Sequence, residues 1–282
     1  MVSIGFLKLH NEERKKENEM SKRTSTIFGL LLVALLFGLA LPAVADEALD
    51  KAFDALKAYD WGQDRNLLKA IDDAVVASHD DDAAQKALEG QLAAVLKTDA
   101  SRAAKDYVCR QLSLIATAES VPALAALLPD KDLSHMARYA LERMPAPEAV
   151  KAMRDALPKT AGRTKVGVVN SLGVRRDAES VAALTALLGD SDKELVGAAA
   201  AALGAIGNAD AAKALGDFQK KAPEELELAA ADACLVCAAQ MLADGKKTEA
   251  KAIYEALLKT PDQPKHVRMA ATRGLLAVAA GK

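Results

Sequence analysis

The sequence has few aromatic residues and little excess of either charge. Aromatic residues make up 4% of the chain, with a single Trp, and the formal net charge is −2. The scarcity of rings argues against a carbohydrate platform built from stacked aromatic side chains. The balanced charge gives no support for a nucleic-acid partner or for binding to an anionic membrane.

The chain also lacks the short motifs that are typical of common enzyme classes and of nucleotide or metal sites. It contains no Gly-x-Ser-x-Gly, no P-loop, no Gly-x-Gly-x-x-Gly and no His-Glu-x-x-His. No run alternates between apolar and polar residues as a half-buried strand does. Acidic residues are spread along the chain, so no carboxylate pair stands out as acid and base. The sequence therefore offers no positive case for catalysis.

Potential metal ligands are sparse. Cys234 and Cys237 form a Cys-x-x-Cys, which suggests a redox pair, a haem attachment or half of a metal site. Haem attachment needs a His after the second Cys, where this chain has Ala238, and a redox pair needs a strand–turn–helix. We therefore predict that Cys109, Cys234 and Cys237 are buried helix residues that bind no metal, and we expect no cofactor.

The remaining candidate ligands are dispersed. His79, His135 and His266 lie far apart, and no paired-His spacing occurs. Residues 80–82 are three Asp without the alternating ligands of a calcium loop, so we predict a solvated loop with Asp82 as a helix N-cap.

What the sequence does contain is a register that repeats about every thirty residues. One column of leucines recurs at spacings of 29, 31 and 31, and further apolar residues follow each leucine by 12 and by 15 positions. The three columns are Leu112, Leu141, Leu172 and Leu203; Leu124, Met153, Leu184 and Leu215; and Leu127, Ala156, Leu187 and Phe218. A fixed period with fixed internal offsets is typical of stacked repeats.

Each period reads as two helices joined by a turn. Residues 195–206 are apolar or small, with five consecutive Ala at 198–202, and predict a helix buried on most sides. Gly207 and the polar residues after it predict a turn before a second helix at 211–218. One helix pair cannot bury its apolar face alone. The predicted fold is therefore all-α, a superhelical solenoid of about six stacked antiparallel helix pairs.

The strings at 199–207 and 181–188 resemble HEAT repeats, in particular the short HEAT-like type that also occurs in phycobilisome lyases. The resemblance covers residues 101–223 well. It implies a helical-repeat fold and a binding surface, and it transfers no catalytic residue.

The ends of the stack depart from the pattern. Residues 46–100 predict an N-terminal cap of three helices, and residues 224–282 predict divergent C-terminal repeats. Leu235 lies 32 residues after Leu203 and is predicted to continue the leucine column. Residues 245–254 are similar to the helix turn of a tetratricopeptide unit.

The first 45 residues predict a signal peptide. A basic pair, Lys22 and Arg23, precedes an uncharged run at 27–41, and a small-x-small triplet ends at Ala45 before Asp46. We predict cleavage between Ala45 and Asp46; the alternative is an uncleaved membrane anchor. Met20 opens a conventional leader. One interpretation is that residues 1–19 follow from an upstream start codon that the cell does not use. The 31 basic and 35 acidic residues that follow the leader give a net charge of about −4.

Arginines recur near the first helix and turn of successive repeats, with Glu142 and Asp177 beside them. The set is Arg110, Arg138, Arg143, Arg175 and Arg176. Equivalent positions line up in a stack, so these residues are either a row of guanidinium groups for an acidic partner or inter-repeat salt bridges, which we favour because acidic neighbours are present.

The sequence predicts a non-catalytic scaffold that is exported by a bacterium to the periplasm or beyond and binds another extracytoplasmic protein. We expect no nucleic-acid partner, and a membrane partner only if the leader is retained. Two alternatives stay open: an enzyme related to the lyase-type repeats, and a solenoid module of a larger envelope assembly.

Overall fold

The structure is a computed structural model that describes residues 41–281. This part of the chain is built from α-helices and short 3-10 turns, with no strand. The α-helices are α1 Leu41–Lys57, α2 Lys69–Ala77, α3 Asp82–Val95, α4 Arg102–Ile115, α5 Val121–Ala125, α6 Ser134–Arg143, α7 Pro147–Ala156, α8 Gly162–Val174, α9 Val181–Leu187, α10 Lys193–Ile206, α11 Ala209–Gln219, α12 Glu224–Ala243, α13 Lys247–Lys259 and α14 Lys265–Ala279. The predicted all-α fold is confirmed.

The chain divides into two compact units. Among the described residues, the first comprises residues 41–56 together with Asp64–Asp73, and its buried side chains include Leu56, Leu68 and Ile71. The second comprises Lys57–Gln63 and everything from Ala74 onward.

The second unit contains the repeats. Helices α4, α6, α8, α10 and α12 are the first helices of successive pairs, and each packs against the next in that series. All four leucines of the first column, from Leu112 to Leu203, have no exposed surface, and neither does any member of the second column. Burying a leucine stabilises a fold by about 1.5–3 kcal/mol, so these columns are the core of the stack.

The leucine column ends differently from our prediction. Leu235 is only half-buried, whereas Cys234, 31 residues after Leu203, is 2% exposed. Close backbone approaches fix the register: Gly173 lies against Ala202 and Gly204 lies against Ala233, which is the same contact one repeat later. Cys234 therefore takes the leucine position, because the step from α10 to α12 is 31 residues rather than 32. Leu187 of the third column is likewise half-buried.

Several helix ends follow local rules, with two corrections. Asp81, not Asp82, is the N-cap of α3 and accepts from the amides of Ala83 and Ala84 at 3.0 Å. Gly207 ends α10 at a φ of 62°, where a side chain would be strained. Asn208, which lies in the predicted turn, is the N-cap of α11.

Helix α12 is the one helix of residues 41–281 that is long and apolar enough to cross a membrane by length and composition. Its apolar residues pack against α10, α11 and α13. Part of the hydrophobicity of α12 therefore follows from its place in the stack, where α10, α11 and α13 cover its buried face.

Most of the predicted leader lies outside the described residues. Helix α1 already begins at Leu41, so the predicted cleavage site between Ala45 and Asp46 falls within the first two turns of this helix. The three helices predicted for 46–100 are present as α1, α2 and α3.

Candidate protein-binding surface

Two arginines of the predicted set occupy positions that are apolar in the other repeats. Arg138 stands in the register of Cys109, Val169 and Ala200, all of which are fully buried. Arg175 stands in the register of Met144 and Ile206. Each of these arginines places a guanidinium group, which needs hydrogen-bond acceptors, at a position where the corresponding residues of the other repeats fill the core.

Both arginines bond across the α6–α8 joint, although the buried Nε of Arg138 has no hydrogen-bond partner within residues 41–281. Arg138 Nη1 donates to Gly167 O and to Ser171 Oγ, each at 3.1 Å. Arg175 Nη1 donates to the carbonyls of Glu142, at 3.2 Å, and Met144 at the end of α6. The last carbonyls of a helix have no partner within it, so Arg175 serves as a C-cap supplied by the next repeat.

The surroundings of Arg138 are adapted to its guanidinium. Gly167 leaves room for the group, because a Cβ at this position would stand 2.5 Å from Arg138 Nη2. Ser171 donates to Glu142 Oε1 at 2.5 Å, and Glu142 lies 4.0 Å from Arg138. Burial lowers the pKa of Arg138, and the charge of Glu142 opposes that shift. The joint between α6 and α8 is therefore a polar seam, defined by Arg138, Glu142, Ser171 and Arg175.

Arg176 makes a longer connection. Its Nη2 lies 2.5 Å from Asp244 Oδ2, although 68 residues separate the two, and 3.4 Å from Ile206 O. The hydrogen bond from Arg176 lowers the pKa of Asp244. Arg176 thus joins the turn after α8 to the turn after α12.

The other two arginines stay on their own helices. Arg143 Nη1 donates to Tyr139 O at 3.1 Å, and its guanidinium lies 3.6 Å from the centre of the Tyr139 ring. Arg110 lies 3.9 Å from Asp106, four residues earlier. Three of the five arginines therefore span joints of the stack, and two are surface groups; a binding role for the set stays a prediction.

An exposed column on the first helices was missed by the sequence reading. Two positions after each residue of the leucine column, the side chain is exposed, except at Ala205, which is half-buried. The apolar members are Leu114, Val174 and Val236, which are 70%, 65% and 49% exposed. Arg143 and Ala205 complete this column on α6 and α10. Because this column lies two positions after the buried leucines, the repeat period seen in the sequence is the signal that locates it.

The cysteines are buried, as predicted, and all three are free thiols in the structure. Burial raises the pKa of Cys109 and of Cys234 to about 12, and that of Cys237 to about 11. Cys234 and Cys237 border a small, mostly apolar cavity of about 190 Å³ between α11, α12 and α13. Within residues 41–281, no group of three or more His, Cys, Asp or Glu side chains is placed to hold a metal ion.

Stacked helix pairs with fixed columns define an α-solenoid, a class whose extended surfaces bind other proteins. The family model described as HEAT repeats matches residues 162–234, which run from α8 into α12. These residues are HEAT repeats, as the resemblance implied, and the HEAT-repeat fold is of the protein-binding scaffold type.

Two solved structures are similar to the chain at low identity. One is an engineered protein from the Northeast Structural Genomics Consortium, with 22% identity, a TM-score of 0.36, and coverage of 75% of this chain and 97% of that chain. The other is human deoxyhypusine hydroxylase in complex with glycerol, with 14% identity, a TM-score of 0.32, and coverage of 85% and 98%. A comparison with curated proteins finds no match. No activity carries over from these likenesses.

Proposed function

We propose that the protein is an exported, non-catalytic scaffold that binds another extracytoplasmic protein. The observation that supports this most directly is the exposed column on the first helices, formed by Leu114, Arg143, Val174, Ala205 and Val236. It runs across five successive repeats of a fold whose class serves protein binding.

The composition of the column suits a protein partner. Isolated exposed apolar residues are ordinary, and here Leu114, Val174 and Val236 lie in register on alternate first helices, with Arg143 and the half-buried Ala205 between them. Packed helices lie about 8–10 Å apart, so five first helices span roughly 32–40 Å and offer a partner a row of spaced apolar contacts. Arg143, which is held over Tyr139, adds a residue pair of the kind that is enriched at binding hot spots.

Export rests on the sequence of the leader. The uncharged run at 27–41 follows a basic pair and ends near a small-x-small triplet, which is the pattern of a cleaved secretory signal. A partner that meets this protein after export is itself extracytoplasmic. If the leader is retained, the scaffold is held at the membrane and still presents the same column.

The test is a pull-down from the native envelope fraction, followed by mass spectrometry and by affinity measurement with the purified partner. Replacing Val174 and Val236 by Ser should abolish recovery of the partner and leave the melting temperature nearly unchanged. Val76→Ser is the matched control, because Val76 is 76% exposed and lies on α2 outside the column.

Two results would oppose the proposal. Equal recovery of the partner by the column variant and by the control would show that the column does not contribute to binding. An empty pull-down together with turnover of a small substrate would favour the enzyme alternative.

A further inference from the structure

The last helix of the described chain carries a groove lined by basic side chains. The groove has a volume of about 590 Å³ and is lined by Lys265, Arg268 and Arg273 of α14, together with Met269, Thr272 and Gln263. None of the three basic residues forms an ion pair within residues 41–281. Most exposed basic residues of the first helices, by contrast, have a carboxylate or a carbonyl within reach.

Packing against α13 fixes which face of α14 is free. Val267 and Ala271 are fully buried, and Gly274 lies directly under the Tyr254 ring, where a Cβ would stand 2.3 Å from the ring. These three residues follow helical spacing and form the inner face. The basic residues lie on other faces, and Met269 and Leu276, which are 45% and 66% exposed, lie beside them.

The charge at this end runs against the helix dipole. The first turns of α10, α11, α12 and α13 each contain an acidic residue, which interacts favourably with the positive end of a helix. The first turn of α14 contains no acidic residue, carries Lys265 and His266, and has no side-chain N-cap. The unfavourable repulsion that results would be relieved by an anionic ligand.

Exposed apolar surface beside the cations adds a second requirement. Met269 lines the groove and is 45% exposed. A peptide segment with acidic side chains offers carboxylates for the three cations and apolar side chains for Met269, whereas a phosphodiester headgroup offers only the anion.

We propose that this groove binds an acidic segment of a partner protein, with Asp or Glu side chains pairing with Lys265, Arg268 and Arg273, and with apolar side chains of the segment against Met269. The inference rests on the proposed scaffold function and names the chemistry of the partner. It also locates the acidic-partner site on α14, whereas the sequence pattern offers the arginines of the first helices for that role.

The experiment uses the full chain without its leader and a fluorescently labelled poly-glutamate peptide, with binding followed by anisotropy. Replacing Lys265 and Arg268 by Gln should weaken binding about tenfold, as expected for the loss of two exposed ion pairs. Arg163→Gln combined with Lys213→Gln is the matched control, since both residues are exposed and the change in charge is identical. The control should bind within about twofold of the parent.

Three outcomes would overturn the inference: an equal loss in both variants, which would indicate a general effect of net charge; no binding of the peptide; or binding of phosphatidylglycerol vesicles but not of the peptide, which would identify a membrane surface. The scaffold proposal is judged separately by the pull-down with the Val174 and Val236 variant. If the protein still captures a partner but does not bind the peptide, the groove proposal is rejected and the scaffold proposal is kept.

Discussion

At the residue scale, the position of a residue within the repeat determines how far its side chain is buried, and residue type alone does not. Cys234 stands in the leucine column, and Cys109 and Cys237 stand in columns whose other members are apolar core residues except for Arg138 and Arg175, so the cysteines act here as small hydrophobic side chains. Gly173 and Gly204 stand in another column, where adjacent first helices come close enough to exclude a Cβ. Gly197, in the same helix as Gly204, has open space at its Cβ position.

We expect Gly204→Ala to destabilise the protein by about 1–3 kcal/mol, because the new Cβ would overpack a backbone contact. It would stand 2.7 Å from Ala233 O, and a backbone atom cannot move aside as a flexible side chain can. Gly197→Ala in the same helix is the control, since nothing lies within 4 Å of its Cβ. The control should be neutral or stabilising by up to about 1 kcal/mol. Urea denaturation followed by circular dichroism measures both, and equal stability of the two variants would contradict the close approach of α10 and α12.

The cysteines predict a loss of stability at high pH. An unfolded thiol releases its proton near its ordinary pKa of 9.0, whereas burial in the folded protein raises the pKa of Cys109 to about 12. Above pH 9.0 the unfolded state therefore binds fewer protons than the folded state, and the free energy of unfolding falls as pH rises. The stabilising effect is fully present below pH 9.0 and is lost as pH rises toward about 12.

Denaturation across this pH range should show a steeper fall for the parent than for a variant with all three cysteines replaced by Ala. Titration of lysines is common to both proteins and cancels in the comparison. Equal slopes would show that the thiols are not protected by burial.

At the scale of elements, one joint of the stack differs from the others. Helices α8, α10 and α12 meet through small and apolar residues, whereas α6 and α8 meet through the polar seam of Arg138, Glu142, Ser171 and Arg175. A polar network stabilises a joint only when its members are satisfied, and here the carbonyls at the end of α6 depend on Arg175.

We expect Arg175→Ala to lower the free energy of unfolding by about 1–3 kcal/mol, because the carbonyls of Glu142 and Met144 lose their donor. Arg110→Ala removes the same side chain from an exposed pair with Asp106 and should lower the free energy by no more than about 0.5 kcal/mol. Equilibrium denaturation compares the two. A neutral result for Arg175→Ala would mean that water replaces the guanidinium without penalty and that the seam does not depend on it.

At the scale of the whole molecule, the charge is unevenly placed. The chain after Ala45 carries a net charge of about −4, yet the outer face of α14 is basic. Long-range attraction of an acidic segment toward this end would raise the rate of association and would weaken as salt is added.

Export makes a prediction for the whole chain. N-terminal sequencing of the extracytoplasmic protein should begin at Asp46, because the small-x-small triplet ends at Ala45. Cleavage there would leave α1 as a helix from residue 46 to its end at Lys57. Recovery of an intact leader in the membrane fraction would favour the anchored form.

The sequence by itself determined the helices, the period and the buried columns from Leu112 to Leu203. These follow from local patterns, since helix formation and the apolar face depend on residues three and four apart. Only the tertiary structure decided which residue continues the leucine column, where the arginines bond, and which face of α14 stays free. Those outcomes depend on how each helix is rotated against a neighbour about thirty residues away, and that rotation is set by contacts such as Gly204 with Ala233 and Tyr254 with Gly274.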